Sequence, residues 1–310
     1  MTALAGVSAY LPEHRVPITE LAGPLALSAS QLQVLQRKHG MREVRRRAPG
    51  ETGTDLLVSA VRALAELPGR EHLVRYVIYA RGVPVNVPFP VNPVYELCER
   101  VGLGHAVAFT VTHHACATSL LAIDLAGRLL TAEDPNALAV VVAGETVFTH
   151  DVELPAEARI FGEGAGACLV TADGHGDRVL AYVAEQRGDL DHWAPGETDH
   201  TGRFAKAYRG TLCGVISAAV DAAGLRLSDI TLLLPHNVNV VSWERVCAQL
   251  GFSVDRVLLE NVALLGHTFA ADLFVNYRLA AERGLLHEGT IYLAAAAGYG
   301  ATFAAMIFQH

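Results

Sequence analysis

The chain has 310 residues, 51% hydrophobic and 18% charged, with a formal net charge of -8. Length and apolar content support a large buried core and exclude a disordered polymer. The acidic balance gives no reason to expect nucleic acid as a partner, and the apolar run at 137–143 is far too short to cross a bilayer. The five cysteines, Cys98, Cys116, Cys168, Cys213 and Cys247, are odd in number and none forms a C-x-x-C pair. With no basic-then-apolar leader at 1–10, this pattern leads us to expect a reduced, soluble, cytoplasmic protein.

Short apolar runs rich in β-branched residues predict strands at 2–7, 76–80, 106–111, 138–143, 165–170, 179–183, 232–234, 291–295 and 304–308. Helical periodicity between them predicts helices at 55–67, 116–130, 211–223, 241–250 and 270–283, with a shorter one at 93–101. The alternation argues for an α/β layered fold. The polar stretch 185–203 reads as a long surface loop, and T-A-D-G-H-G-D at 171–177 interrupts the pattern. That break divides the chain into an N-terminal half, 1–171, and a C-terminal half, 172–310.

V-T-H-H-A-C-A-T-S-L-L at 111–121 passes from a strand into an apolar helix and sets Cys116 at the turn. The free N–H groups of a helix N-terminus favour a thiolate and can hold a developing oxyanion. From position alone, Cys116 reads equally as a nucleophile or as a small buried hydrophobe. His113, His114 and Cys116 lie too close together for a tetrahedral metal site, and no distant ligand pair accompanies them, so no metal is expected.

Six motifs in chain order carry a resemblance. They are G-M-R-E-V-R-R-R at 40–47, A-C-A-T-S-L at 115–120, F-G-E-G-A-G-A at 161–167, P-H-N-V-N at 235–239, G-H-T-F-A-A-D at 266–272 and A-G-Y-G-A-T-F at 297–303. Together they resemble ketoacyl-acyl-carrier-protein synthase III of the thiolase superfamily. The resemblance implies two similar halves in five layers, α-β-α-β-α, usually as a homodimer. It implies Cys116 as an acyl-accepting nucleophile, an oxyanion hole from the N–H groups of Cys116 and Gly298, and His236 as a hydrogen-bond donor to a thioester oxygen.

One position departs from that pattern. The family has G-N-T-S-A-A-S where this chain has G-H-T-F-A-A-D, so His267 replaces an asparagine. A neutral His267 donating one N–H could still support decarboxylative condensation with malonyl-thioester. Alternatively, Asp272, five residues on, could reach back and make His267 a general base. The second pattern resembles the acyltransferases of this fold in antibiotic and polyketide pathways, which use Cys–His–Asp. The expected function is transfer of an acyl group through Cys116 to a hydroxyl, an amine or a second carrier, with condensation as the alternative.

No cofactor is expected beyond the thioester substrate itself, carried on coenzyme A or on the phosphopantetheine of an acyl-carrier protein. Family members that take coenzyme A stack its adenine on a tryptophan where this chain has Val34, and have arginine where it has Lys38. Acyl-carrier protein is therefore the expected partner, met by Lys38, Arg42, Arg45 and the arginines that follow. Asn239, Phe89 and Trp193 complete the expected substrate-contacting set. A small-molecule acceptor is expected, but no nucleic acid or membrane.

Overall fold

The computed structural model describes residues 1–83, 90–147, 160–190, 200–298 and 301–310. Nine strands form one sheet in the order β5-β4-β6-β7-β1-β8-β11-β10-β9. They are β1 (Ala3–Tyr10), β4 (Val74–Ala80), β5 (Val107–Val111), β6 (Leu138–Glu145), β7 (Gly164–Thr171), β8 (Asp177–Gln186), β9 (Leu232–Pro235), β10 (Ile291–Gly298) and β11 (Thr302–Gln309). A separate pair, β2 (His14–Pro17) and β3 (Glu43–Arg46), is antiparallel. The junction of β1 with β8 is thin, with only Ala3 opposite Arg178 and Leu4 opposite Asp177, whereas the β1–β7 ladder runs from Ala3 to Tyr10. The sheet therefore behaves as two half-sheets joined at a narrow seam.

Period-two alternation gives each half-sheet two buried faces. On β4, Ile78 and Ala80 enter one core while Val77 and Tyr79 enter another. On β6, Ala139, Val141 and Ala143 enter the first and Leu138, Val140 and Val142 the second. On β10, Tyr292, Ala294 and Ala296 enter the first while Leu293, Ala295 and Ala297 enter a third. The shared first core surrounds two helices, α5 (Thr118–Leu130) and α9 (Asp272–Glu282). The outer cores are closed by α3 (Gly53–Arg62) and α4 (Pro93–Arg100) on one side, and by α6 (His200–Ala222) and α7 (Val240–Leu250) on the other. This is the five-layer α-β-α-β-α thiolase arrangement expected from the motifs. It sets the N-termini of α5 and α9 in the central layer, between the half-sheets.

Local sequence fixes the helix ends. Thr52 and Asp55 form a reciprocal capping box on α3, Asn239 caps α7 through Ser242 N–H, and Gly251 ends α7 in the left-handed conformation (φ 69°). Three short helices were not foreseen: α1 (Ile18–Leu21), α2 (Ala29–Arg37) and α8 (Glu260–Leu264). Nor was the β2–β3 pair. Four-residue strands, one ending at a proline, carry too little alternation to read from sequence.

The expected loop at 185–203 is corrected at both ends. β8 continues through Gln186, which pairs with Thr302, and α6 begins at 200 rather than 211. Between them, Gly188–Leu190 forms a 3-10 turn held by Arg187, whose guanidinium bridges Asp189 at 2.8 Å and whose N–H bonds Ala301 O at 2.8 Å. Glu185 and Gln186 close the strand and Gly188 and Asp189 form the turn, whereas 191–199 lie outside the described residues. Trp193 lies outside the described residues, as does Phe89.

Ile123, fully buried on α5 in the central layer, supplies a test of this packing. Ile123→Ala is expected to cost about 2–5 kcal/mol in denaturant unfolding, whereas Val254→Ala at a 37% exposed position should stay within about 0.5 kcal/mol.

Candidate active site

The strand-to-helix passage at 111–118 is a tight, strained elbow. His113 (φ 73°) and Ala115 (φ 45°) both occupy the left-handed region, which costs side-chain-bearing residues about 1–3 kcal/mol each. A 3-10 turn, Ala115–Ala117, carries Cys116 and leads into α5; Ala117 N–H bonds His114 O, and the Thr118 hydroxyl bonds Ala115 O. Cys116 is partly exposed, whereas the other four thiols are buried. Burial pushes Cys98 and Cys247 up to about 11, and Cys168 and Cys213 also upward.

Gly298, ending β10, packs directly on this elbow. A Cβ there would lie 2.3 Å from His114 O and 2.7 Å from the Ala115 side chain. Only glycine lets the two backbones approach so closely.

His267 arrives from the opposite side. Its backbone is strapped to the F-G-E-G-A-G-A segment: His267 N–H bonds Ile160 O and Gly162 N–H bonds His267 O, both at 3.0 Å. A Cβ on Gly162 would sit 1.9 Å from Leu265 O, so that motif's glycine allows the crossing. The imidazole is fully buried against Phe161 and Phe269, with ring centroids at 5.0 and 6.1 Å.

Here the side chains converge. His267 Nε2 lies 2.9 Å from Cys116 Sγ, and His267 Nδ1 lies 2.5 Å from Asp272 Oδ2. Asp272, buried at the start of α9, also accepts from Asn237 N–H at 2.6 Å, Asn237 Nδ2 at 3.2 Å, and the N–H and hydroxyl of Thr268, both at 2.7 Å. Burial disfavours a charged His267. The negative charges of Asp272 and Cys116, with hydrogen bonds to both, override it and raise the imidazole to about 10. Burial also pushes the Asp272 carboxyl upward, but the His267 charge and the surrounding donors hold it below the usual carboxylate range.

His236 follows β9 and is buried beside the same pocket, its ring centroid 6.0 Å from that of His267. Its Nδ1 faces Ala295 O at 3.4 Å and its Nε2 meets the Tyr208 hydroxyl at 3.1 Å. A carbonyl can only accept, so the proton sits on Nδ1 and Nε2 accepts from Tyr208. Cys116, His236, Asp272 and Ser119 line one small pocket with Leu120, Leu234 and Ala294–Ala296.

Other expected residues lie elsewhere. Asn239 is buried, its carboxamide capping α7 through Ser242 and bonding His39. Arg45 turns inward, bonding Pro12 O and Glu13 O; Arg46 bonds Phe161 O, and Arg47 pairs with Glu163. The expected basic face thus reduces to Arg42 and Lys38, both exposed, with Lys38 and Arg245 each close enough to His39 for its charge to act there. The missed residues are Asn237, Thr268, Tyr208 and Glu145. Glu145 ends β6, fully enclosed, accepts from Val83 N–H at 2.8 Å, and is pushed up to about 7 by burial. Among the described residues, no His, Cys, Asp or Glu cluster suited to a metal occurs, and no helix is long and apolar enough to cross a membrane.

Comparison with known proteins agrees with the motifs. Residues 112–188 match the family model for 3-oxoacyl-[acyl-carrier-protein] synthase III, and residues 220–310 match the model for its C-terminal part, together more than half of the chain. The chain belongs to the 3-oxoacyl-[acyl-carrier-protein] synthase III family. The beta-ketoacyl-[acyl-carrier-protein] synthase III of Brucella canis is 28% identical over 329 aligned positions, covering 99% of each chain. Among solved structures, the Thermus thermophilus synthase III superposes with a TM-score of 0.84 at 25% identity, covering 99% of both chains. ChlB3, named as an acyltransferase, superposes with a TM-score of 0.86 at 21% identity, covering 99% of this chain and 97% of its own, a likeness of fold alone.

The geometry makes Cys116 selectively reactive. One equivalent of iodoacetamide at neutral pH is expected to add a single label, at Cys116 by peptide mass spectrometry, and Cys116→Ala should abolish it.

The Asp272–His267 pair should also write itself into stability. A lowered carboxylate stabilises above its unfolded value, about 3.9, and a raised imidazole stabilises below its own, about 6.5. The stabilisation is therefore complete between those values and fades as pH rises through about 10. Asp272→Asn is expected to cost about 3–5 kcal/mol near pH 5.5 and distinctly less above pH 10, measured by denaturant titration at both.

Proposed function

We propose that this chain is an acyltransferase. It takes an acyl group from a carrier-protein thioester onto Cys116 and passes it to a hydroxyl, an amine or a second carrier thiol, in specialised metabolism of the polyketide or antibiotic kind. The observation that carries the reading is the hydrogen-bonded line from Asp272 through His267 to Cys116. Asp272 accepts from Nδ1, so a neutral His267 holds its proton there and offers a lone pair at Nε2.

The steps balance on these groups. Cys116 Sγ, 2.9 Å from His267 Nε2, passes its proton there. Cys116 Sγ attacks the thioester carbonyl, the tetrahedral oxyanion is met by the Cys116 and Gly298 N–H groups, and the departing pantetheine thiol takes the proton from His267 Nε2. Acylation removes the negative charge on Sγ that helped hold that proton, leaving Nε2 basic. An acceptor hydroxyl, amine or thiol then gives its proton to Nε2 while attacking the acyl carbon. Cys116 leaves as thiolate, facing an imidazolium once more. General-base assistance of this kind contributes about 10²–10⁴-fold.

A carrier-protein donor is supported by the names of the relatives and by Val34, half-buried on α2, where an adenine-stacking tryptophan would be needed for coenzyme A. Exposed Lys38 and Arg42 offer the cationic surface. A homodimer is supported by β5, which ends the sheet with Val107 59% exposed.

A second reading, decarboxylative condensation with a malonyl-carrier thioester, is favoured by the names of the relatives and by the presence of His236. It needs N–H donors at an enolate oxygen. Both histidines, when neutral, hold their protons on Nδ1, which weighs against it.

The test combines the protein with acyl- and malonyl-carrier proteins, then with candidate acceptors. The expected result is an acyl adduct on Cys116, malonyl left intact, and transfer slowed about 10²–10⁴-fold by Asp272→Asn. A β-ketoacyl product with release of CO2 would establish the second reading instead.

A further inference from the structure

Behind Asp272 lies a chain of three buried asparagines on three different elements. Asn261, on α8, donates through Nδ2 to Val275 O at 3.2 Å and to Asn276 Oδ1 at 2.8 Å. Asn276, on α9, donates through Nδ2 to Pro235 O at 2.6 Å and to Asn237 Oδ1 at 3.0 Å. Asn237, just past β9, gives its own Nδ2 to Asp272 Oδ1 at 3.2 Å. Backbone carbonyls cannot donate, so Val275 O and Pro235 O fix which end of Asn261 and of Asn276 is the amino group. Asn276 then fixes Asn237, whose carboxamide can turn only its amino end to the carboxylate.

Resting on the triad reading above, we infer that Asn276 and Asn237 are positioning residues for the reaction: a relay of oriented carboxamides that keeps a donor, never an acceptor, against Asp272. Asn261 holds the far end. Were the Asn237 carboxamide inverted, its oxygen would face Asp272 Oδ1, favour the protonated acid and release His267 from its partner. The other titratable groups facing the pair are Cys116 from the elbow, His236 beyond β9, and Glu145 at the end of β6, close enough for its charge to act on His267.

Asn276→Asp tests the relay. It keeps shape, but it puts an acceptor against Asn237 Oδ1 and so drives Asn237 to invert. The readout is the pH dependence of Cys116 alkylation by iodoacetamide between about pH 4 and pH 9. The thiolate–imidazolium pair forms only with Asp272 ionised, so the acid limb is expected to move up by about one pH unit, about tenfold in rate on that limb. In an Asn237→Ala background, adding Asn276→Asp should move it no further. If the charge prevents folding, Asn276→Leu, which frees Asn237 to invert, should move the limb in the same direction by less.

An unmoved limb in both Asn276 variants, with Asp272→Asn strongly shifted, overturns the relay and leaves the triad standing. An equal shift with and without Asn237 also overturns it, since the charge would then act through space. If Asp272→Asn itself leaves the profile unchanged, the triad reading fails and the relay fails with it.

Discussion

The structure of the site depends on one buried carboxylate. Asp272 lies in the central layer, away from water, where an unpaired charge is not sustainable. Five hydrogen bonds converge on it, from His267, from the backbone and side chain of Asn237, and from the backbone and hydroxyl of Thr268. Together they tie three residues to the start of α9. Thr268 brings the turn after Gly266, Asn237 brings the end of β9, and His267 brings the strap that runs along the F-G-E-G segment. Removing the charge would undo more than the triad, because it is the common acceptor for the segments that meet between the two half-sheets.

The same convergence explains where the backbone is strained. Of the non-glycine residues with positive φ among those described, His113 and Ala115 lead into Cys116, Phe269 lies two residues after His267, and Ala301 lies between β10 and β11. A single such residue costs about 1–3 kcal/mol, so three beside Cys116 and His267 require a rigid surround. The layers supply it. α5 and α9 are packed on both faces by half-sheets, and the Ala294–Ala296 stretch of β10 is small enough to let the pocket approach Cys116.

How much of this could be read in the chain depended on how local the cause was. Strands such as β6 and β10 declare themselves by runs of Val, Ile, Leu and Ala, because both faces are buried and no charged residue interrupts them. Cys116 at a strand-to-helix turn, and Asp272 five residues beyond His267, are likewise short-range patterns. The carboxamide chain was not legible: Asn237, Asn261 and Asn276 are 24 and 15 residues apart, and only tertiary folding aligns them. Tyr208 was hidden for the same reason, reaching His236 from the middle of α6. The arginine run at 45–47 misled in the opposite direction. Charges that look solvated in a string were drawn inward by carbonyls of Pro12, Glu13 and Phe161 and by Glu163.

The resemblance places an asparagine and a serine where this chain has His267 and Asp272, and the pair of exchanges has a single chemical sense. An asparagine carboxamide facing Cys116 can donate a hydrogen bond but cannot take up a proton at any physiological pH, which suits an oxygen that must be held as charge develops. An imidazole in its place can do either, depending on which nitrogen carries the proton, and alone it would sample both tautomers. The carboxylate removes that freedom: by accepting from Nδ1 it leaves Nε2 bare in the neutral ring and stabilises the ring when charged. Donor capacity toward the substrate is lost in the neutral state and base capacity is gained. The elbow that carries Cys116 and the Gly298 that packs on it do not depend on that exchange. Condensation and transfer thus differ, on this scaffold, in the direction a proton can move at one nitrogen 2.9 Å from Cys116 Sγ.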